Sequence, residues 1–325
     1  MIISKTPLRI SFFGGGSDLP AYYTKYPGSV ISTSINLYIY VIIKKRNDDR
    51  IYINYSKKEI VDDINDIQHD LVKECLKMTG IKSGIEITTL SDISSKGSGL
   101  GSSSAVTVGL LNALYCFKKI KLSKEELAEK ACEIEINKCG HPIGKQDQYG
   151  CSIGGLNRIN FHKNHNVSFS NINFELDKFQ KNLFLVNTNV TRNANTILED
   201  QSNNVKEVIN ENVELVKMCN EFEKLLKMSN FDIDKIGFLL NKSWQIKKKL
   251  SDKISSTQID NLYNKGIQEG ASGGKVLGAG GGGYILFYVP TKNQRNFINS
   301  FIKDIVNFEF ESYGTKIVYN EYLKT

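Results

Sequence analysis

The sequence predicts an α+β protein of two domains, 1–176 and 177–325. Three observations carry this. The 325 residues exceed the roughly 250–300 that one hydrophobic core usually serves. Strand-like and helix-like apolar patterns follow one another in mixed order, without the regular alternation of a doubly wound parallel sheet. The composition is globular, with 40% hydrophobic and 24% charged residues and 26 Gly against 5 Pro. That excludes disordered, collagen-like and disulfide-scaffold classes.

Residues 5–13 and 30–44 are rich in Ile, Val, Phe and Tyr with partial alternation, and read as strands. Residues 51–55 form a short third strand, expected to pair with the second across a turn at 46–50. A helix over 70–78 and a strand over 84–90 follow. After a Ser/Gly-rich loop, 105–117 has helical apolar spacing, and Ser123-Lys124-Glu125-Glu126 is a capping box opening a helix to about residue 138. Residues 156–161 and 167–174 read as a hairpin turning at 162–166. The strand 182–190 begins the second domain, followed by helices over 193–228, 233–250 and 257–269. The chain then reads as strand 284–289, helix 292–306 and strand 308–319.

The formal charge is +7, from 42 Lys and Arg against 35 Asp and Glu. These basic residues are dispersed among acids, with short runs at Lys44-Lys45-Arg46 and Lys247-Lys248-Lys249. A nucleic-acid partner would want a stripe interleaved with aromatics, so none is expected and the runs read as solvated faces. Nor is a membrane partner, because no apolar run approaches the roughly 18 residues of a span. The start carries no signal-peptide pattern, and the expected location is the cytoplasm. Six cysteines without a C-x-x-C pair, and four histidines without a zinc spacing, suit thiols in a reducing compartment.

Chemistry concentrates in three clusters. The first is Gly97-Ser98-Gly99-Leu100-Gly101-Ser102-Ser103-Ser104, between a predicted strand and helix. Alternating glycines let main-chain N–H groups converge, and the helix start adds unpaired donors and a positive dipole end. Such a loop holds a polyphosphate, and one serine hydroxyl can turn to a Mg2+ ion. No lysine follows Gly101, so it is not a Walker A loop, and Ser102 stands where a dinucleotide fingerprint needs its last glycine. The run 278–283 does satisfy that fingerprint but leads into a strand, not the required helix.

The second cluster is Glu133, Glu135 and Asn137, then Gly140-His141-Pro142-Ile143-Gly144-Lys145-Gln146-Asp147. Pro142 and its flanking glycines break the helix, leaving Asp147 in a tight loop or at a helix start. There it is either a turn residue or a group that accepts a proton from a substrate hydroxyl. Glu135 is either a solvated helical residue or a metal ligand. In the third cluster, Arg9 lies on an apolar strand that ends in Gly14-Gly15-Gly16-Ser17-Asp18. Asp18 is either a helix N-cap or an acceptor of paired sugar hydroxyls.

Together these clusters resemble the GHMP kinase superfamily. Gly99-Leu100-Gly101-Ser102-Ser103 is similar to its phosphate loop, Thr6-Pro7-Leu8-Arg9 through Asp18 to its first motif, and 278–283 to its third. The first motif and Gly144-Lys145-Gln146-Asp147-Gln148-Tyr149 further resemble the sugar-1-kinases of the heptose 7-phosphate group, a pattern that fucose kinases share. The resemblance implies a domain like ribosomal protein S5 domain 2, then a ferredoxin-like domain, with ATP and a sugar phosphate in the cleft between them. It implies that ATP phosphorylates the anomeric hydroxyl of a heptose 7-phosphate. Main-chain groups of Gly97, Ser98, Gly99, Leu100, Gly101, Ser102, Ser103 and Ser104 would hold the ATP phosphates, and Ser103 with Glu135 would ligate Mg2+. Asp147 would be the base or orienting group, with Arg9 as its electrostatic partner. Asp18, Gly16 and Ser17 would bind sugar, and Lys145 or Arg192 the substrate's phosphate. A homodimer is left open. Two alternatives stay beside this reading: a kinase of a free sugar such as fucose, and a non-catalytic sugar- and ATP-binding regulator. Retention of both Glu135 and Asp147 opposes the second.

Overall fold

The computed structural model describes residues 1–94, 97–174, 177–191, 193–228 and 232–322. The long strands β1 (Ile2–Phe13) and β2 (Gly28–Lys45) pair antiparallel, with α1 (Pro20–Tyr23) between them. Next come β3 (Ile51–Asn54), β4 (Lys58–Val61), α2 (Asp70–Thr79) and β5 (Ile85–Ser91). The loop that follows leads into α3 (Ser102–Phe117), then α4 (Lys124–Cys132), α5 (Gln146–Ile153), β6 (Leu156–Phe161) and β7 (Val167–Asn171). The rest runs α6 (Asp177–Gln180), β8 (Leu183–Asn187), α7 (Ala194–Asn204), α8 (Ile209–Leu226), α9 (Lys235–Lys247), α10 (Thr257–Gln268), β9 (Gly273–Val276) and β10 (Tyr284–Tyr288). It ends with α11 (Gln294–Phe301), β11 (Ile305–Val306), β12 (Phe310–Glu311) and β13 (Lys316–Asn320).

The described strands make two sheets. In the larger, β2 is the spine: β1 lines one edge, while β6, β12 and β5 divide its other edge from start to end. Its length permits this, since 18 mostly β-branched and aromatic residues suit a pleated surface buried on both faces. The helix α3 covers β1 and β2 with Ala105, Val108, Leu110, Leu111 and Leu114, all fully buried. In the smaller sheet the order is β11-β8-β10-β9, all antiparallel, which in chain order is fourth, first, third, second. With helices between the first and second and the third and fourth strands, this is the ferredoxin-like arrangement.

An aromatic cluster joins the two units. Phe12 and Phe13 at the end of β1 lie 5.9 and 4.9 Å from Phe222 of α8, centroid to centroid, and Phe179 of α6 lies 5.5 Å from Phe310 of β12. Burying each ring contributes about 2–3 kcal/mol, so the end of β1, where the functional residues begin, has a rigid footing.

Five expectations need correcting, the first being the helix over 292–306, which ends at Phe301 and gives way to β11 against β8. The strand β3 does not pair with β2, because β5 lies between them, parallel to β3 and antiparallel to β2. The turn after β2 is held by Arg46, which pairs with Asp48 and Glu86 and donates its main-chain N–H to Gly84. The helix 193–228 is two, α7 and α8, interrupted where Glu207 and Val208 N–H both return to the Asn204 carbonyl. Asn is a poor helix interior residue and a good turn former. The strand 308–319 is likewise split into β12 and β13, and both return to the larger sheet. Asp18 does not cap α1, whose N-cap is Leu19 without a side-chain bond. No helix among the described residues is long and apolar enough to cross a membrane.

Candidate active site

The glycine-serine loop runs from β5 into α3. Gly97, Gly99 and Gly101 have φ of 67°, 72° and 75°, alternating left-handed residues that turn successive amides to one side. Gly101 is the N-cap of α3, and no side chain caps that helix. The first amides of α3 therefore keep donors for an anion. Leu100 does not line the cleft: its side chain is fully buried and anchors the loop from behind. Glycine at position 99 is required, because a Cβ there would lie 2.6 Å from the Leu277 carbonyl oxygen. That contact shows what the later run 278–283 does. It packs backbone to backbone against the first loop, with a glycine on each side.

Arg9, pointing from β1 beneath this loop, is 1% exposed and bonded through each of its three guanidinium nitrogens. Its Nε and Nη2 donate to Asp147 Oδ1 and Oδ2 at 2.8 and 2.7 Å, and its Nη1 donates to the Gly99 carbonyl at 2.6 Å. Asp147 sits in the first turn of α5, where a carboxylate is favoured by the dipole. Each of its oxygens retains a lone pair for a substrate hydroxyl, and the side chain remains 27% exposed toward the cleft.

Glu135 is fully buried, on the π-helical turn Glu133–Lys138 that continues α4, so it is no solvated helix residue. Its Oε2 accepts from Ser104 Oγ at 3.1 Å and Ser103 Oγ at 3.5 Å. Burial pushes its carboxyl up to about 7, and the nearby Asp147 charge adds to this while bonds from Ser104 and Thr107 oppose it. A buried anion among hydroxyl oxygens beside a phosphate-holding loop is a fitting donor set for Mg2+, which prefers hard oxygens and keeps several waters. Asp18 is also buried and is pushed up to about 6, first by burial and then by Asp147. It accepts from the Gly16 and Gln146 main-chain N–H groups at 3.1 and 3.3 Å and from Gln146 Nε2 at 3.4 Å.

One open cleft of about 320 Å3 gathers Arg9, Gly16, Asp18, Gly97, Ser98, Gly99, Gly101, Ser102, Ser103, Ser104, Glu135 and Asp147. It lies between the units, with Asn195, Leu198 and Gln201 of α7, Lys247 of α9 and Gly278 closing the far side. Two further predicted residues, Ser17 and Lys145, are elsewhere. Ser17 is fully buried, its hydroxyl donating to the Gly14 and Ser29 carbonyls. Lys145 turns away from the cleft, its Nζ donating to the His165 carbonyl at 2.7 Å beside the Tyr23 ring. Arg192 lies outside the described residues. Lys247, read as a solvated lysine, is instead buried, donating to the Val276 and Gly278 carbonyls at 3.1 and 2.5 Å. Its neighbour Trp244 is core. Lys275 was not anticipated either. It is buried, donates to the Phe12 carbonyl at 2.7 Å, and is pushed down to about 7 by burial, with Arg9 adding to the shift. A helical run of lysines and a Gly-Gly-Lys stretch give no hint of which ammonium folds inward.

Comparison with known proteins agrees with this geometry. The model "GHMP kinases N terminal domain" matches residues 68–155, and "GHMP kinases C terminal" matches 222–304. A D-glycero-alpha-D-manno-heptose 7-phosphate kinase of Campylobacter jejuni is 31% identical over 97% of this chain and 98% of its own. Among solved structures, a D-glycero-D-manno-heptose 1-phosphate kinase from Bacteroides thetaiotaomicron superposes with a TM-score of 0.74 at 25% identity, over 98% of this chain and 100% of that one. A putative sugar kinase from Campylobacter jejuni gives a TM-score of 0.73 at 29% identity, over 97% of each chain. This chain therefore belongs to the GHMP kinase family, two-domain enzymes that use ATP to phosphorylate sugar or alcohol hydroxyls.

Proposed function

We propose that this kinase transfers the γ-phosphoryl group of ATP to the anomeric hydroxyl of D-glycero-D-manno-heptose 7-phosphate, giving the 1,7-bisphosphate for nucleotide-activated heptose and surface glycans. The observation that carries the chemistry is the two-point Arg9–Asp147 pair in one cleft with the glycine-serine loop, Glu135 and Asp18. The Campylobacter relative supports the choice of acceptor.

In this reading the main-chain amides from Gly97 to Ser104 hold the phosphates, and Asp18 accepts a bond from a sugar hydroxyl at the lone pair its protein donors leave on Oδ2. Asp147 orients the anomeric hydroxyl and takes its proton as the new P–O bond forms and the bond to ADP breaks. Arg9 cannot release a proton, so it fixes the Asp147 carboxylate and offsets charge on the transferring group. Ser103 and Glu135 would hold Mg2+, with Ser104 as the nearer hydroxyl to Glu135. Bound there, the ion would neutralise charge on the ATP phosphates. We place the enzyme in the cytoplasm, where ATP is abundant and its six unpaired cysteines stay reduced.

A free sugar is the second reading, favoured by one observation. Of the two lysine or arginine side chains described at the cleft, Arg9 is committed to Asp147, and Lys247 holds main-chain carbonyls. ADP release measured over a panel of free sugars and sugar phosphates, with Mg2+, separates the two. Turnover confined to heptose 7-phosphate is the expected result. Equal or better turnover of fucose would replace the proposal, and ATP binding without turnover of any sugar would favour a regulator.

A further inference from the structure

Beside the phosphate machinery, with His141 on the rim of the same cleft, the fold brings together a second set of donors that no spacing in the sequence announced. Asp70 opens α2, while Cys139 and His141 lie in the loop after the π-helical turn. A carboxylate oxygen, the thiol and an imidazole nitrogen from these three lie within 4.8 Å of one another. We infer that Asp70, Cys139 and His141 form a binding site for a borderline-soft divalent cation of the zinc class, distinct from the Mg2+ site at Glu135.

The donor chemistry supports a zinc-class ion over Mg2+, which avoids sulfur and imidazole. Three protein ligands of mixed type with a water in the fourth position form a familiar tetrahedral set. The carboxylate is already aimed. Asp70 Oδ1 accepts the Leu71 N–H at 2.7 Å, which leaves Oδ2 facing His141 Nε2 at 2.9 Å. An ion would enter by widening that contact to the roughly 3.3–3.5 Å that separates ligands in a tetrahedral shell. The loop can yield, because Gly140 between the other two ligands has open space around it. Burial first, then the charges of Asp70, Glu74 and Glu135, disfavour a bare Cys139 thiolate, with Lys77 opposing them, and those acids would favour a dication beside it. A bound ion would clamp α2 to the segment whose His141 N–H bonds the Glu135 carbonyl at 2.9 Å, and so steady the turn that presents Glu135.

The test uses the full-length enzyme, stripped with a chelator and then dialysed against Zn2+, or Co2+ as a spectroscopic probe, in millimolar Mg2+. We expect one equivalent of Zn2+ to be retained, and the Co2+ form to show thiolate-to-cobalt charge-transfer absorption. Cys139→Ser should abolish that absorption, and Asp70→Asn should weaken Zn2+ binding by at least about tenfold. The inference fails if no Zn2+ is retained, if Mg2+ displaces it, or if Cys139→Ser retains it with unchanged affinity. Should Cys139→Ser not fold, the wild-type Co2+ spectrum and Asp70→Asn, at an exposed carboxylate, decide alone.

Discussion

Asp147 and Glu135 are both carboxylates at the cleft, yet their surroundings set them different tasks. Asp147 spends one lone pair of each oxygen on Arg9 and stays partly open to solvent. Asp147→Asn keeps the shape but loses both the charge and the proton acceptor. Turnover should fall about 10²-fold or more, the usual scale for a general base, with ATP affinity nearly unchanged by calorimetry. Arg9→Lys should be nearly as damaging, because an ammonium cannot span both Asp147 oxygens and the Gly99 carbonyl. Glu135 differs in that, among the described residues, no cation pairs with its buried charge, and only hydrogen bonds such as those from Ser104 and Thr107 offset it. Its ordinary value of 4.5 rises to about 7 in the fold. Between those values the native state holds more protons than the unfolded chain, so its contribution to stability falls as pH rises and is flat above about 7. Glu135→Gln should therefore melt higher than the wild type without Mg2+. The gap should open from pH 4.5 to 7 and reach up to about 3 kcal/mol, while Mg2+-dependent turnover collapses. A melting difference that ignored pH would show that Glu135 does not carry this charge.

At the scale of elements, the phosphate loop works because two glycine runs from different units lie in backbone contact. Gly99→Ala combines a φ of 72° with a Cβ 2.6 Å from the Leu277 carbonyl, so both the loop and its partner must move. It should cost about 1–3 kcal/mol in urea unfolding and weaken nucleotide binding. Gly80→Ala supplies the control, since Gly80 has a φ of 68° but meets only the tip of Lys118. It should cost stability alone, and an equal loss of nucleotide binding would refute the two-loop contact. The glycine-serine loop and Asp147 were singled out in the sequence because their chemistry is local, in glycine spacing, a helix start and an acid after a helix break. The roles of Arg9 and Glu135 came instead from the family resemblance, and the fold brings all four to one cleft. What was not legible depends on pairing across distance. β5 slips between β2 and β3, Lys145 turns to a carbonyl 20 residues away, and Ser17 is consumed by the main chain of β2. Such outcomes are decided by which unsatisfied group is nearest after folding, and a linear pattern of residue types does not encode that.

For the whole molecule, the decisive feature is the return of the chain's last strands to its first sheet. β13 pairs with β1 at residues 2–5, and β12 with β2 at residues 34–35. The joint is polar inside: Thr315 Oγ1 bonds Thr6 Oγ1 at 2.8 Å and accepts from Asn112 Nδ2 at 3.0 Å. The Thr315 and Gly314 N–H groups bond the Ser152 and Ile153 carbonyls at the end of α5, whose first turn carries Asp147. Removing residues 312–325 would strip one edge from β1 and leave buried hydroxyls unpaired, at about 1–3 kcal/mol for each such group. Against a total stability of about 5–15 kcal/mol, that is enough to unfold the sheet. A chain of residues 1–176 should therefore fail to fold alone, whereas 1–176 and 177–325 produced together should copurify, because the second supplies β12 and β13. A cooperative thermal transition from 1–176 by itself would show that the sheet closes without them, and that the path from the last strand through α5 to Asp147 is dispensable.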